Sequence, residues 1–461
     1  MDSLSKLGPS LQKILVRVLL HLHTLLSEFK SELESCYEKD GEDVKRWKFA
    51  LIRKRGLDRY QKQIDDWSER LTRRLLLRGL AMNVEAEAQA RAERQEKKTP
   101  EVQIQARQTI PAIAALLPTP QEHSIKSIGG SSAFLASLSD GTVVLVEYKY
   151  FGKDASVKEK MFTKRSVRDI ATMLCEANAR IGRIPGTGAG GILKCLGYFE
   201  DEARFRYGVV SQLPSPWSGA PQRPLRSLRD LLWSPENAKG SRHNLNDRVA
   251  LARSIASAVL EIHAAHFVHK SIRPSNILVF DPDTPDSKGY PYAIGRPAVI
   301  GFEQTRPDWE ESERLSSGVW EEDIYRHPDR QGLKSRVPYS ILHDIYSLGV
   351  VFIEIALWRS AVSHDRQRDP PLLVHNRQFW GSLYTTRCQE QDPAKTKALY
   401  QKLARSVIPQ TIGGRFASVI EACLTCVEGG FGEVEDGRDN DGADEVAYLE
   451  KVVESLEAIC L

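Results

Sequence analysis

The sequence predicts an α+β chain in which an α-helical bundle precedes a bilobal domain, with a small β-rich lobe followed by a larger helical lobe. Three observations carry this expectation. Apolar residues recur every three or four positions through the first 83 residues. A proline-broken stretch with little apolar face follows at 84–120. From 121 onward, alternating β-rich runs come first and helical patterns come after, the order of a domain with segregated layers.

At 461 residues the chain is too long for one compact core. The expected division is 1–83, a linker at 84–120, and a domain at 121–461 split into lobes at 121–212 and 213–461. Hydrophobic residues make up 41% and charged residues 27%, ordinary for a soluble globular protein. A net charge of +3 argues against a nucleic-acid partner. Seven scattered cysteines show no disulfide framework and no metal-ligand spacing. Cys423 and Cys426 read as two small core residues one helical turn apart. No secretory leader and no run of eighteen uncharged apolar residues is visible, so the expected location is cytoplasmic.

In the first segment, Leu11, Ile14, Leu15, Val18, Leu22, Leu25 and Phe29 share one helix face. Gly41 punctuates, and Trp47, Leu51, Leu57, Tyr60, Ile64, Trp67 and Leu71 form a second stripe. Stripes of this kind must pack against one another, hence a bundle. Residues 45–78 are rich in Lys and Arg. They read either as a solvated helix face or as a surface for an anionic membrane or acidic partner. The linker holds VEAEAQARAERQEKK and then Pro100, Pro111, Pro118 and Pro120.

The run SIKSIGGSSAFLASLSDGTVVLVEYKYF alternates and carries Asp140-Gly141 as a hairpin turn. A helical stretch, KRSVRDIATMLCEANARI, precedes two apolar strands, ILKCLGYFED and FRYGVVSQL. Helical patterns then dominate. EGGFGEVEDGRDNDGADE at 428–445 reads as a disordered loop before a last helix with Val446, Leu449, Val452, Val453 and Leu456 on one face.

Four motifs then stand in order. HKSIRPSNILVF at 269–280 follows the pattern H-R-D-x-x-x-x-N-x-L, with His269, Ser271 and Asn276 at the His, Asp and Asn positions. VIGFEQTR at 299–306 stands where D-F-G belongs, with Gly301 at the Asp, Phe302 at the Phe and Glu303 at the Gly. YRHPD at 325–329 stands where A-P-E belongs, keeping Pro328. DIYSLGVVFIEIALW at 344–358 resembles D-x-W-S-x-G, with Asp344 and Gly349 matching. Together they resemble a protein kinase over about residues 121–461.

The resemblance implies a fold and also a loss. Phosphoryl transfer depends on positioning and charge neutralisation. Ser271 is neutral and cannot act as the carboxylate base, a role worth roughly 10²–10⁴-fold. Gly301 has no side chain to ligate Mg²⁺. Laying V-A-I-K on VLVE places Glu147 at the lysine position, where it would repel phosphate. A slipped register would present Lys149, on the same strand face, instead. Gly129-Gly130 is a weak remnant of a glycine-rich loop, and Asp169 and Glu176 are candidates for the helix glutamate. His269, Phe302 and Asp344, the residues that resemblance assigns to shape, are retained.

The expected reading is therefore a pseudokinase with no resident cofactor. The alternative is a divergent kinase that transfers phosphate from ATP and Mg²⁺ to protein serine or threonine, using Lys149 and Asn276. WKFALIRKRGLDRYQKQIDDWSERLTRRLLL, KCLGYFED, RSLRDLL and FASVIEACLTCV are similar to fungal HeLo-type, prion-inhibition-and-propagation-like proteins with a kinase-like domain. The layout also resembles the mixed-lineage-kinase-domain-like proteins. Both resemblances imply cell-death or immune signalling, with a protein partner or self-association, and with an anionic membrane met through 45–78.

Overall fold

The computed structural model describes residues 37–38, 41–44, 114–122, 128, 131–181, 191–214, 225–235, 243–281, 289–307, 319–331, 337–365, 372–380, 392–428 and 442–459. The chain divides into two compact units, one of residues 1–100 with 184–187 and one of residues 101–183 with 188–461.

In the first unit the described residues form one antiparallel pair, Tyr37–Glu38 with Gly41–Val44. This departs from an all-helical reading of 1–83. The pair brackets the place where Gly41 interrupts the apolar period of the sequence. The predicted helices on either side, the basic stretch 45–78 and the linker up to residue 113 lie outside the described residues.

The second unit is mixed α+β, as its sequence order predicts. An antiparallel sheet of five strands runs in the spatial order β1-β2-β3-β5-β4. Its strands are β1 (Gln121–Glu122), β2 (Ala133–Ser137), β3 (Val143–Tyr150), β4 (Lys194–Asp201) and β5 (Arg206–Gln212). The hairpin between β2 and β3 turns at Asp140-Gly141 as expected, with the Asp140 carboxylate accepting the Thr142 N–H at 2.9 Å. Helix α1 (Val157–Ile181) packs on the sheet through Val167, Ile170, Ala171 and Leu174, a face with the helical period.

The end of the predicted linker is part of this sheet. Ala115 and Leu117 exchange backbone hydrogen bonds with Tyr198, and the segment covers the outer edge of β4. Gly197 makes this approach possible, because a Cβ there would lie 2.1 Å from the Ala115 carbonyl oxygen.

Helices α2 (Leu228–Trp233) and α3 (Leu245–Ala264) follow. A Ser227–Asp230 capping box starts α2, and the Asn244 side chain caps α3. Strands β6 (Ile277–Phe280) and β7 (Arg296–Val299) pair antiparallel, flanked by the short strands Arg226–Ser227 and Gly191–Ile192. Then come α4 (Ile341–Leu357), α5 (Pro393–Ser406), α6 (Gly414–Leu424) and α7 (Gly442–Glu457). Helix α4 is buried almost throughout, as its near-continuous apolar run requires. Cys423 and Cys426 are both buried, and α6 ends between them. Helix α7 starts at Gly442, earlier than the acidic insert suggested, and buries Leu449, Val452, Val453 and Leu456. The rest of that insert, 429–441, lies outside the described residues. Among the described residues no helix is long and apolar enough to cross a membrane.

Candidate functional site

The two faces of β3 do different work because its side chains alternate. Val144, Val146 and Tyr148 pack outward with Phe199 and Val210. Val143 and Leu145 face the other way and join Leu278, Phe280, Ala298 and Ile300 in one buried cluster. Leu145 and Leu278 are fully buried in it. Glu147 and Lys149 continue this inner face.

The strand register and the side-chain partners give Glu147 and Lys149 different surroundings. Glu147 pairs with Ala133 on one side and Val209 on the other, and its side chain is 4% exposed. Its Oε2 accepts the backbone N–H groups of Gly301 at 2.5 Å and Phe302 at 2.8 Å. Burial, and then the charge of Glu303, push the Glu147 carboxyl up to about 8, against the pull of the two N–H donors. Lys149, two residues on, donates from Nζ to Ser166 Oγ of α1 at 2.7 Å. Ser166, which the sequence reading passed over, holds the place facing the strand. Asp169 instead meets Arg165 and Arg168 at the surface, at 3.5 and 3.6 Å, and Glu176 lies two turns further along α1.

The loop before β6 hangs on Asp344 at the start of α4. Its carboxylate accepts from His269 N at 2.7 Å, Lys270 N at 2.9 Å and the Tyr339 hydroxyl at 2.6 Å, and meets His263 Nε2 at 3.0 Å. Burial alone would raise this carboxyl, but the bonds from His263 and Tyr339 and the neighbouring histidines hold it below its ordinary value. His269 donates from Nε2 to the Ile300 carbonyl at 3.1 Å and accepts the Ser271 N–H on Nδ1 at 3.2 Å. Its ring meets Phe302 edge-on, centroids 5.2 Å apart. Burial lowers its pKa, in keeping with a neutral ring in this tautomer.

Asn276 is fully buried, and its Nδ2 donates to both the carbonyl and the hydroxyl of Ser271, each at 2.8 Å. Gly301 has φ +92°, and a Cβ on it would lie 2.4 Å from Asn276 Nδ2. The residues therefore fit Mg²⁺ poorly. Gly301 supplies no side-chain oxygen and Ser271 is neutral and tied to Asn276, so the one side-chain oxygen of these three residues left without a hydrogen-bond partner among the described residues is the neutral Asn276 Oδ1, where Mg²⁺ needs several oxygens, carboxylates among them. Among the described residues no cluster of three or more His, Cys, Asp or Glu side chains is placed to hold a metal. Gly129 and Gly130 lie outside the described residues.

All of the motif segments except YRHPD thus meet in one hydrogen-bonded assembly: β3 through Glu147, the 269–276 loop, the 301–303 turn and Asp344. His327 and Pro328 of YRHPD begin a short 3₁₀ turn, and Tyr325 is buried beside Glu354 of α4, donating to its carboxylate at 2.9 Å. The sequence matches no protein family and no curated protein. It is similar in structure to a chain in "Structure of the CAK complex form Chaetomium thermophilum bound to ATP-gamma-S", with 14% identity and a TM-score of 0.40 over 72% of this chain and 88% of that one.

Proposed function

We propose that residues 121–461 form a bilobal, protein-kinase-like domain that does not transfer phosphate and acts as a signalling or docking module. The observation that carries this reading is the use to which the site residues are put. Glu147 stands where an ammonium would grip phosphate, and it caps the turn at Gly301 and Phe302. Asn276 is packed against Gly301 and bonded to Ser271. Residues that would meet metal and phosphate in a kinase here bond to one another and brace the fold. The apolar side supports the same reading, since Leu145, Leu278 and Ile300 are buried against each other.

The test is thermal unfolding of the full chain with and without MgATP, together with a labelled phosphate-transfer assay. No midpoint shift and no transfer are expected. A midpoint that rises with MgATP, accompanied by transfer, overturns the reading in favour of a divergent kinase.

In the same reading, the basic segment 45–78 is the effector, and the kinase-like domain controls its self-association or its attachment to an anionic membrane. Co-sedimentation of the full chain with phosphatidylserine vesicles tests this. Binding that vanishes when the lysines and arginines of 45–78 are neutralised supports the assignment, and binding that survives removes it.

A further inference from the structure

Helix α1 and strand β4 meet at two cysteines. Cys175 lies near the end of α1, and Cys195 is the second residue of β4. Both are thiols in this structure. Cys175 donates from Sγ to the backbone carbonyl of Cys195 at 3.7 Å, and Cys195 donates from Sγ to the Gly197 carbonyl at 3.7 Å. The two thiols also bond to each other. A disulfide needs its sulfurs about 2 Å apart, so this pair has only a short gap to close by side-chain rotation. Cys195 stands at a register shift of the β4–β5 ladder, where the strand is already irregular.

The two sulfurs differ in access and in acidity. Cys175 is half-buried, whereas Cys195 is buried. The hydrogen bond from the Cys195 thiol holds the Cys175 thiol below its ordinary value, against burial and the charge of Glu176. Cys195 is pushed well up, first by that same bond and then by burial. Cys423 and Cys426 stand in contrast. Both are buried, burial pushes both thiols up, and Cys426 donates from Sγ to the Leu342 carbonyl at 3.2 Å. Among the four described cysteines, only Cys175 combines access with a lowered thiol.

We propose that Cys175 is a hydroperoxide-reactive thiol and that Cys195 resolves it, so that oxidation fastens α1 to β4 through a disulfide. The Cys175 thiolate attacks the terminal oxygen of the hydroperoxide. An S–O bond forms, the O–O bond breaks, and the leaving alkoxide takes up the proton that Cys175 released. The Cys195 sulfur then attacks the Cys175 sulfenic acid. The S–S bond forms, the S–O bond breaks, and the departing hydroxide leaves as water with the Cys195 proton. The two sulfurs together lose two electrons, which the peroxide gains. A dithiol reductant returns the pair to thiols by exchange. The site stands whether or not the domain transfers phosphate.

The test uses the full chain, reduced, desalted and then exposed to hydrogen peroxide. Remaining thiols are blocked with iodoacetamide, and trypsin then places Cys175 in peptide 169–180 and Cys195 in peptide 195–204. Mass spectrometry of wild type is expected to find these two peptides joined, and dithiothreitol to part them. The joined product should form at least about tenfold faster in the folded chain than in urea, because folding holds the sulfurs together. Cys195→Ser is expected to leave Cys175 as a sulfenic acid that dimedone labels, and Cys175→Ser to leave Cys195 unlabelled. Absence of the joined peptides from folded wild type overturns the proposal, as does a rate no higher than in urea, and neither result needs a variant to fold. Dimedone on Cys195 in Cys175→Ser, or none on Cys175 in Cys195→Ser, overturns it as well.

Discussion

A Cβ on Gly301 would lie 2.4 Å from Asn276 Nδ2. The side chain of Asn276 occupies the space that any side chain at 301 would need, so an aspartate introduced there would collide with it. Gly301→Asp is expected to cost about 2–4 kcal/mol, from the positive φ and the overlap together. Gly141, with φ +84° and open space where a Cβ would stand, is the control. Gly141→Ala should cost only the backbone part, about 1–2 kcal/mol. Urea unfolding of the two variants checks the difference.

Glu147 makes stability depend on pH. Its carboxyl is held up at about 8, first by burial and then by Glu303, so it binds its proton more tightly folded than unfolded. That contribution is complete below the ordinary carboxylate value and is lost as pH climbs to about 8. Glu354, pushed up to about 7 by burial, acts in the same direction. Stability is expected to fall toward pH 8, at no more than about 1.4 kcal/mol per pH unit for each proton. Glu147→Gln should flatten the upper end of that window, above the range where Glu354 has already titrated. Denaturant titrations at stepped pH measure it.

Asp344 gathers the N–H groups of His269 and Lys270, the Tyr339 hydroxyl and His263. Asp344→Asn replaces an acceptor oxygen by a donor among groups that donate to it. A loss of about 3–5 kcal/mol is expected, as for one partner removed from a buried charged network. Because this carboxyl is held low, its contribution is present above its ordinary value and disappears as pH falls through the folded value. Hydrogen exchange at the His269 and Lys270 amides should accelerate in the variant, which locates the damage.

Leu145 is fully buried between β3 and the β6–β7 pair. Leu145→Ala is expected to cost about 2–5 kcal/mol, the transfer and cavity terms of a buried leucine. Thermal or urea unfolding reads this directly. A cost below about 1 kcal/mol would show that the two sheets are not packed together at this point.

Much of the second unit was legible in the chain. The Asp140-Gly141 hairpin, the strands at 194–201 and 206–212, and the long helices came from period and turn chemistry, which are local properties. The inward face shared by Glu147 and Lys149 was legible from strand alternation, and the ladder with Ala133 and Val209 shows the register in which they stand. Ser166 was missed because it is an ordinary residue in a helical pattern, and only the packing of α1 shows which of its residues meets Lys149. The linker end at Ala114–Pro120 was misread because its pairing partner, Tyr198, lies some eighty residues away. The hairpin at Tyr37–Val44 was hidden inside a helical pattern that Gly41 only punctuates.

The residue types at 147, 271 and 301 were decided by the sequence alone, since folding cannot change the chemistry of a side chain. What those residues bond to was decided only in three dimensions. The bond from Glu147 to a turn 154 residues away and the exclusion between Asn276 and Gly301 both join segments distant in the chain. Hydrogen bonds and van der Waals contacts act over a few ångströms of space, and sequence spacing does not carry that distance.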